Sequence, residues 1–413
     1  MNSFLSYVFR LFHILIWGVY LLFIRSFKIN KKTILVLSII FIIVSSIAFF
    51  YSFAVENTSS NQTKKDFIKW VDFNVTAEAL NLTAKLDIDS HNNHEAIQYN
   101  WIELLSYLAC KNGGDFKNFK KSDLDNLVNK IKAGETIEKL SQDLKFYDYY
   151  YESYSAVLGN FIGNYSIEVE SKDNSKEIVF ENRYGLKVFL PIAQNYSFSH
   201  YDDFGNSRSY GFKRVHLGND LMGSVGTPII AVESGIVEHL GWNQYGGWRV
   251  GIRSFDTKRY YYYAHLRKNH PYSEGLEEGM TVKAGDVIGY LGMTGYSIKE
   301  NVNNINIPHL HFGMQLIFDE SQVDSPNEIW IDVYQIVEFL KKNRSEVYLS
   351  NKETKDYSRK YDFMDNSVCE WCFWVLFSSV PKSIYFFPKI NFISLFIFPL
   401  VISRVTSSPG FLL

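Results

Sequence analysis

The sequence predicts a mainly β domain of antiparallel strands, preceded by a transmembrane anchor and a small α-helical region. Three observations carry that reading. An uncharged run of 21 residues lies near the N-terminus, a helical period of apolar residues follows between about 95 and 165, and from Ser166 the period drops to two. At 413 residues and 48.0 kDa the chain has room for two or three domains. Its 46% hydrophobic and 21% charged content excludes collagen-like and mostly disordered classes.

Residues 1–54 read as the anchor region. Thr33 to Phe53 (TILVLSIIFIIVSSIAFFYSF) has the length to cross a bilayer as a helix. Arg25, Lys28, Lys31 and Lys32 stand just before it, so the positive-inside rule puts its start in the cytoplasm and everything after Ala54 outside. A cleaved signal peptide fits less well, since its apolar core usually runs about 7–15 residues. The earlier apolar stretch Leu11 to Ile24 is short for a span and either lies in the interface or extends into a second one. Five of the 42 basic residues fall in the first 53, which hold no acid. Residues 54–413 therefore carry 37 basic against 44 acidic groups, a formal net charge of -7. Phosphate binding relies on clustered Lys and Arg, so no nucleic-acid partner is expected.

Residues 55–94 are polar and read as a linker with a short element. A helical domain is expected over 95–165. Ser122 is placed as the cap of a helix whose Leu124, Leu127, Val128 and Ile131 share a face, with Gly134 as its stop. Trp101 to Ala109 and Thr136 to Phe146 show similar spacing, and Tyr147 to Ile162 adds an aromatic segment. His91 and His94 lie three apart, but nothing repeats the motif, and they read as exposed polar histidines.

The β domain is expected over 166–345, with its motif core at 210–315. Ile229 to Val232, Gly235 to His239, Arg249 to Ile252, Arg259 to Ala264 and Val287 to Leu291 are short β-rich runs separated by Gly-containing turns. An amphipathic helix is expected from Val333 to Lys341. Residues 346–413 read as a charged stretch followed by an atypical hydrophobic tail, to which no function is assigned. Cys369 and Cys372 form a CxxC there without a second Cys/His pair, and Cys110 stands alone, so no disulfide framework is expected.

Five residues of the β domain form the candidate site: His216 and Asp220 in HLGND, His265 in YYYYAHL, and His309 and His311 in PHLHFGM. Residues two apart on a strand face the same side, so His309 and His311 project into one cleft. Two imidazoles and a carboxylate give a three-ligand zinc site whose fourth tetrahedral position is left for water. Each piece alone is weak, because a lone histidine in a strand is usually hydrogen-bonded scaffolding. The ordered combination is what counts.

Together with GTPIIAVESGIVEHLGWNQYGGWRVGIRS and VKAGDVIGYLGMTGYS, these motifs resemble, from about Tyr210 to Gln315, the lysostaphin-type or LytM-type zinc metallopeptidases that cut peptidoglycan peptides. The resemblance implies a duplicated-hybrid-motif-like β fold and one zinc ion per chain. It implies His216, Asp220 and His311 as the metal ligands, and His265 and His309 as the two catalytic histidines that are not ligands. Those roles suit an imidazole that exchanges a proton near neutral pH. The implied partners are a peptidoglycan peptide substrate and, through the N-terminal helix, the membrane.

Two features depart from the family pattern. IKENVNNINIP between Ser297 and His309 is a longer link, and Asn219 replaces an apolar residue before Asp220. Of the aromatics near the motifs (Tyr210, Tyr245, Trp248 and Tyr260 to Tyr263), Tyr210 is nominated as the substrate-facing residue, because it precedes the ligand loop. The alternative function is a scaffold that keeps the fold and binds wall or a partner without turnover, as in a sporulation channel. Such relatives often lack a metal or catalytic residue, and here all five are present.

Overall fold

The computed structural model describes residues 67–171, 177–209 and 213–366. The anchor region 1–54, Tyr210 and the tail from residue 367 lie outside them. Among the described residues no helix is long and apolar enough to cross a membrane.

Five helices come first: α1 (Ala77–Asn92), α2 (Trp101–Asn112), α3 (Lys121–Lys132), the short α4 (Ile137–Ser141) and α5 (Tyr147–Leu158). Helix α1 corrects the reading of 55–94 as a linker. It buries Ala79, Leu80, Thr83, Ala84, Asp87 and Ser90, which follow helical spacing, but half of them are polar and no apolar stripe marks the face. Thr76 caps it by accepting from the Ala79 amide. Asp87 is buried between α1, α2 and the next sheet, where it accepts from the Trp101 amide at 2.9 Å and the Tyr184 hydroxyl at 2.7 Å. Burial raises its carboxyl above the usual range, and those hydrogen bonds offset part of the rise. Ser122 is not the cap of α3, which starts one residue before it; the Asp123 amide bonds the Lys120 carbonyl instead. Leu124, Leu127 and Val128 are buried as the spacing requires. His91 is only half-buried in solvent terms: it stacks on Tyr184 at 4.2 Å, while His94 is exposed.

The strands are β1 (Ile162–Glu170), β2 (Ile178–Leu186), β3 (Ser199–His200), β4 (Ser207–Ser209), β5 (Lys213–Val215), β6 (Asn219–Met222), β7 (Pro228–Ile230), β8 (Gly235–Asn243) and β9 (Gly247–Ser254). They continue with β10 (Arg259–Ala264), β11 (Thr281–Val282), β12 (Val287–Tyr290), β13 (His309–Leu316), β14 (Ile329–Ile331), β15 (Val347–Asn351), β16 (Asp356–Arg359) and β17 (Phe363–Asp365). The main sheet has eight strands in the order β11-β8-β9-β10-β13-β6-β3, with β14 also on β13. Its described pairings are antiparallel, as the short runs and Gly turns predict. In β10 the strand period divides four consecutive tyrosines: Tyr261 and Tyr263 are fully buried in the core, while Tyr260 and Tyr262 turn to the opposite face.

The described residues from Ile68 to Asn366 form one compact unit. Helix α6 (Tyr334–Leu340) links its helical and β parts: Trp101 stacks on Phe339 at 5.9 Å, and Gln335 accepts from the Ala77 amide at 2.8 Å. The charged stretch after 345 is built into the fold. Strand β17 closes a sheet of order β17-β1-β2, Phe363 is fully buried between Tyr165 and Phe189, and Lys187 meets Asp365 at 2.8 Å. Alternation explains why the sequence hid this, since one buried phenylalanine among charged neighbours leaves no apolar run.

Candidate functional site

Strands β6, β13 and β10 lie side by side, and their register assembles the site. Asp220 is directly opposite His311, and His311 is opposite Ala264. His309, two residues before His311, shares its face. His216 stands in the loop leading into β6. That loop passes so close to β13 that only glycine fits at 218, where a Cβ would lie 2.6 Å from the Phe312 carbonyl oxygen and 2.9 Å from the His311 ring. His265 follows Ala264, so a regular strand would point it to the far side of the sheet. A left-handed backbone, φ 64°, turns it back toward the cluster at a cost of about 1–3 kcal/mol. Its ring centre lies 4.8 Å from that of His309 and 6.0 Å from that of His311.

Three donor atoms converge. His216 Nε2 is 3.0 Å from Asp220 Oδ1 and 2.9 Å from His311 Nδ1, and the last two are 3.2 Å apart. These are the described residues able to hold a metal ion as a cluster. The surrounding contacts fix the rings. A carbonyl only accepts, so His216 Nδ1 donates to the Asp203 carbonyl at 3.0 Å and Nε2 is left facing the triad. By the same rule His265 Nδ1 donates to the Thr294 carbonyl at 2.9 Å and His309 Nδ1 to the Ile307 carbonyl at 2.8 Å. Each presents Nε2 to the cleft, His309 at 3.7 Å from Asp220 Oδ1. Arg208 braces the cluster from outside, meeting Asp203 at 2.6 Å and the second oxygen of Asp220 at 3.2 Å.

The electrostatics fit a cation at this point. Burial alone would lower His216, but hydrogen bonds with Asp203 and Asp220 outweigh it and raise the imidazole to about 9. A proton on Nε2 then occupies the place where the donors meet. Burial alone would raise Asp220, yet its hydrogen bonds with His216 and His311 hold it well below the usual carboxylate range. Burial lowers His311, and it lowers His265 well below the ordinary imidazole value, with His309 and His311 adding to the effect. Two nitrogens and one carboxylate oxygen are a donor set suited to zinc.

The five histidine and aspartate residues singled out in the sequence are thus brought together, while Tyr210 lies outside the described residues. Aromatics not nominated do line the adjoining cavity of about 710 Å³: Tyr245, Tyr260, Tyr262 and Trp330. Sequence reasoning also missed Asp203 and Arg208, 13 and 8 residues from His216, and Thr294, 29 residues from His265. Asn219, the unusual residue beside Asp220, is fully buried; it donates to the Tyr201 carbonyl and accepts from the Val333 amide, tying β6 to the start of α6. The long link before His309 is folded onto the domain, where Asn301 accepts from Trp248 Nε1 at 3.0 Å.

Residues 214–325 match the family model "Peptidase family M23". An L-Ala--D-Glu endopeptidase of Bacillus subtilis is 38% identical over 125 residues, 30% of this chain and 36% of that protein. The glycyl-glycine endopeptidase ALE-1 of Staphylococcus capitis is 38% identical over 98 residues, 24% of each chain. The chain therefore spans about a third or less of the length of these relatives. Among solved structures, the catalytic domain of lysostaphin from Staphylococcus simulans aligns with 31% of this chain and 89% of its own at 32% identity, with a TM-score of 0.25. The chain carries a peptidase family M23 domain with relatives of the lysostaphin and LytM type.

Proposed function

We propose that the protein is a zinc metalloendopeptidase that hydrolyses peptide bonds of peptidoglycan, anchored in the cell membrane with its catalytic domain on the outer side. The convergence of His216, Asp220 and His311 beside two further histidines carries this reading. Those three residues would hold the metal; zinc, once bound, supplies Lewis acidity that polarises a carbonyl and acidifies water. His265 and His309 present their Nε2 atoms to the same cleft. One accepts the proton that must leave the attacking water, and the other, once protonated, hydrogen-bonds the oxygen on which charge develops. The carbonyls of Thr294 and Ile307 keep both rings aimed. Anchoring is supported by the acid-free first 53 residues and the uncharged run 33–53 behind four basic residues.

The test is release of peptides from isolated cell walls by the full chain. His309→Ala and His265→Ala are each expected to lower release at least about 100-fold while close to one zinc per chain is kept. Wall binding without release in the wild type would support the scaffold reading instead.

A further inference from the structure

We infer that the groove beside the triad contains a carboxylate-binding subsite built on Arg249 and Arg214, so that the peptide taken carries a free carboxylate within one or two residues of the scissile bond. The peptide nature of the ligand rests on the function proposed above; the anion subsite rests on the groove itself.

Both arginines line the 710 Å³ cavity together with the triad. Among the described residues the guanidinium of Arg249 has no hydrogen-bond or ion-pair partner, and its Nε is buried. Arg214 is held in place without being neutralised. One of its Nη atoms donates to the Tyr296 hydroxyl, and its plane lies 4.9 Å from the Tyr296 ring centre and 5.4 Å from that of Tyr245, yet its Nε is also buried and unpartnered. Tyr262 lines the same cavity as both arginines. The acids nearby are engaged elsewhere or out of reach. Glu238 pairs with Arg253 at 2.9 Å, Glu328 accepts from Trp330 at 2.8 Å, and Asp324 forms no ion pair with either arginine. Unpaired buried N–H donors of charged groups are costly, and a ligand that supplies acceptors recovers that cost.

The register places the subsite relative to the reacting atoms. Tyr263 pairs with Val250, so the next residues, Ala264 and Arg249, stand level, and Ala264 is opposite His311. Asp220, His311, Ala264 and Arg249 thus form one row across four strands. At about 4.8 Å per strand, Arg249 is roughly 10 Å from His311 along the row, with Ala264 between them in the sheet and the Tyr262 ring beside them, 5.8 Å from the His311 ring. An extended peptide advances about 3.3 Å per residue, and the arginine side chain shortens the gap further. The geometry favours an acidic stem peptide over an uncharged glycine bridge, which would leave both guanidinium groups unpaired.

The experiment measures binding of two synthetic peptides to the zinc-loaded full chain by calorimetry. Both are L-alanyl-γ-D-glutamyl-L-lysine; in one the glutamyl α-carboxyl is free, in the other it is a carboxamide. The free acid is expected to bind about 10- to 100-fold more tightly, and the gap to close to within about threefold in Arg249→Gln, with Arg249→Lys intermediate. Equal binding of the two peptides by the wild type overturns the proposal, and so does a gap that survives in Arg249→Gln. Should the variant not fold, the wild-type pair alone decides. Cleavage is recorded in the same samples: discrimination without cleavage removes the peptidase reading and leaves the subsite, whereas cleavage without discrimination does the reverse.

Discussion

At the scale of single residues, His216 is the clearest case of a side chain whose protonation and proposed role are linked. Its metal-free imidazole is raised to about 9, so at pH 7 it carries the proton that a metal has to displace. A ligand must be deprotonated, so zinc affinity should climb about tenfold per pH unit below about pH 9 and level off above it. Competition with a chromophoric chelator at several pH values measures this, and affinity independent of pH would count against His216 as a ligand. Four of the five site residues were legible because HLGND and HLHF hold them within one strand or one short loop, and their roles came from the family resemblance; His265 is turned toward them by a left-handed backbone that spacing does not announce. Arg249 was not legible. It appeared only as a member of a β run, and its significance depends on the register of three neighbouring strands and on which acids are already paired. Tyr260 and Tyr262 were legible only as half of an alternating strand whose exposed side the sequence did not identify.

At the scale of elements, the site depends on strand β10 staying in register between β9 and β13. Arg259, the first residue of that strand, is fully buried and clamps it. Its guanidinium meets Glu233 at 2.8 and 3.0 Å and Asp256 at 2.7 Å, and donates to the Ala156 carbonyl of α5 at 2.6 Å. Glu233 also accepts from the Tyr261 hydroxyl at 2.6 Å. Arg259→Met leaves that carboxylate buried without its countercharge and is expected to cost about 3–5 kcal/mol. Thermal or urea unfolding reads the change, and a loss under about 1 kcal/mol would show that the pair is not what fixes the strand. Glu233 and Arg259 are 26 residues apart, so no local pattern announced them. Strands with strict alternation, such as β10, were placed residue for residue, whereas α1 was missed because its buried face mixes Thr, Asp and Ser with Ala and Leu. Strands β15 to β17 were missed because their charged residues outnumber the single buried Phe363.

At the scale of the whole molecule, the helical region and the β region share α6 and a common core, so the helices buttress the sheet that carries the His/Asp cluster rather than swing free of it. The proposed topology makes a separate prediction. Protease added to intact cells should digest the chain beyond Ala54 while the protein fractionates with membranes; full protection of residues 68–366 in intact cells would contradict the outward orientation. The most direct test of the central claim, that His216, Asp220 and His311 hold the metal on which hydrolysis depends, is zinc titration of the chelator-stripped full chain while peptide release from isolated walls is followed. Release should be abolished by stripping and return in proportion to zinc, saturating at one equivalent per chain. Undiminished release from stripped protein, or no release at one equivalent, would contradict the account.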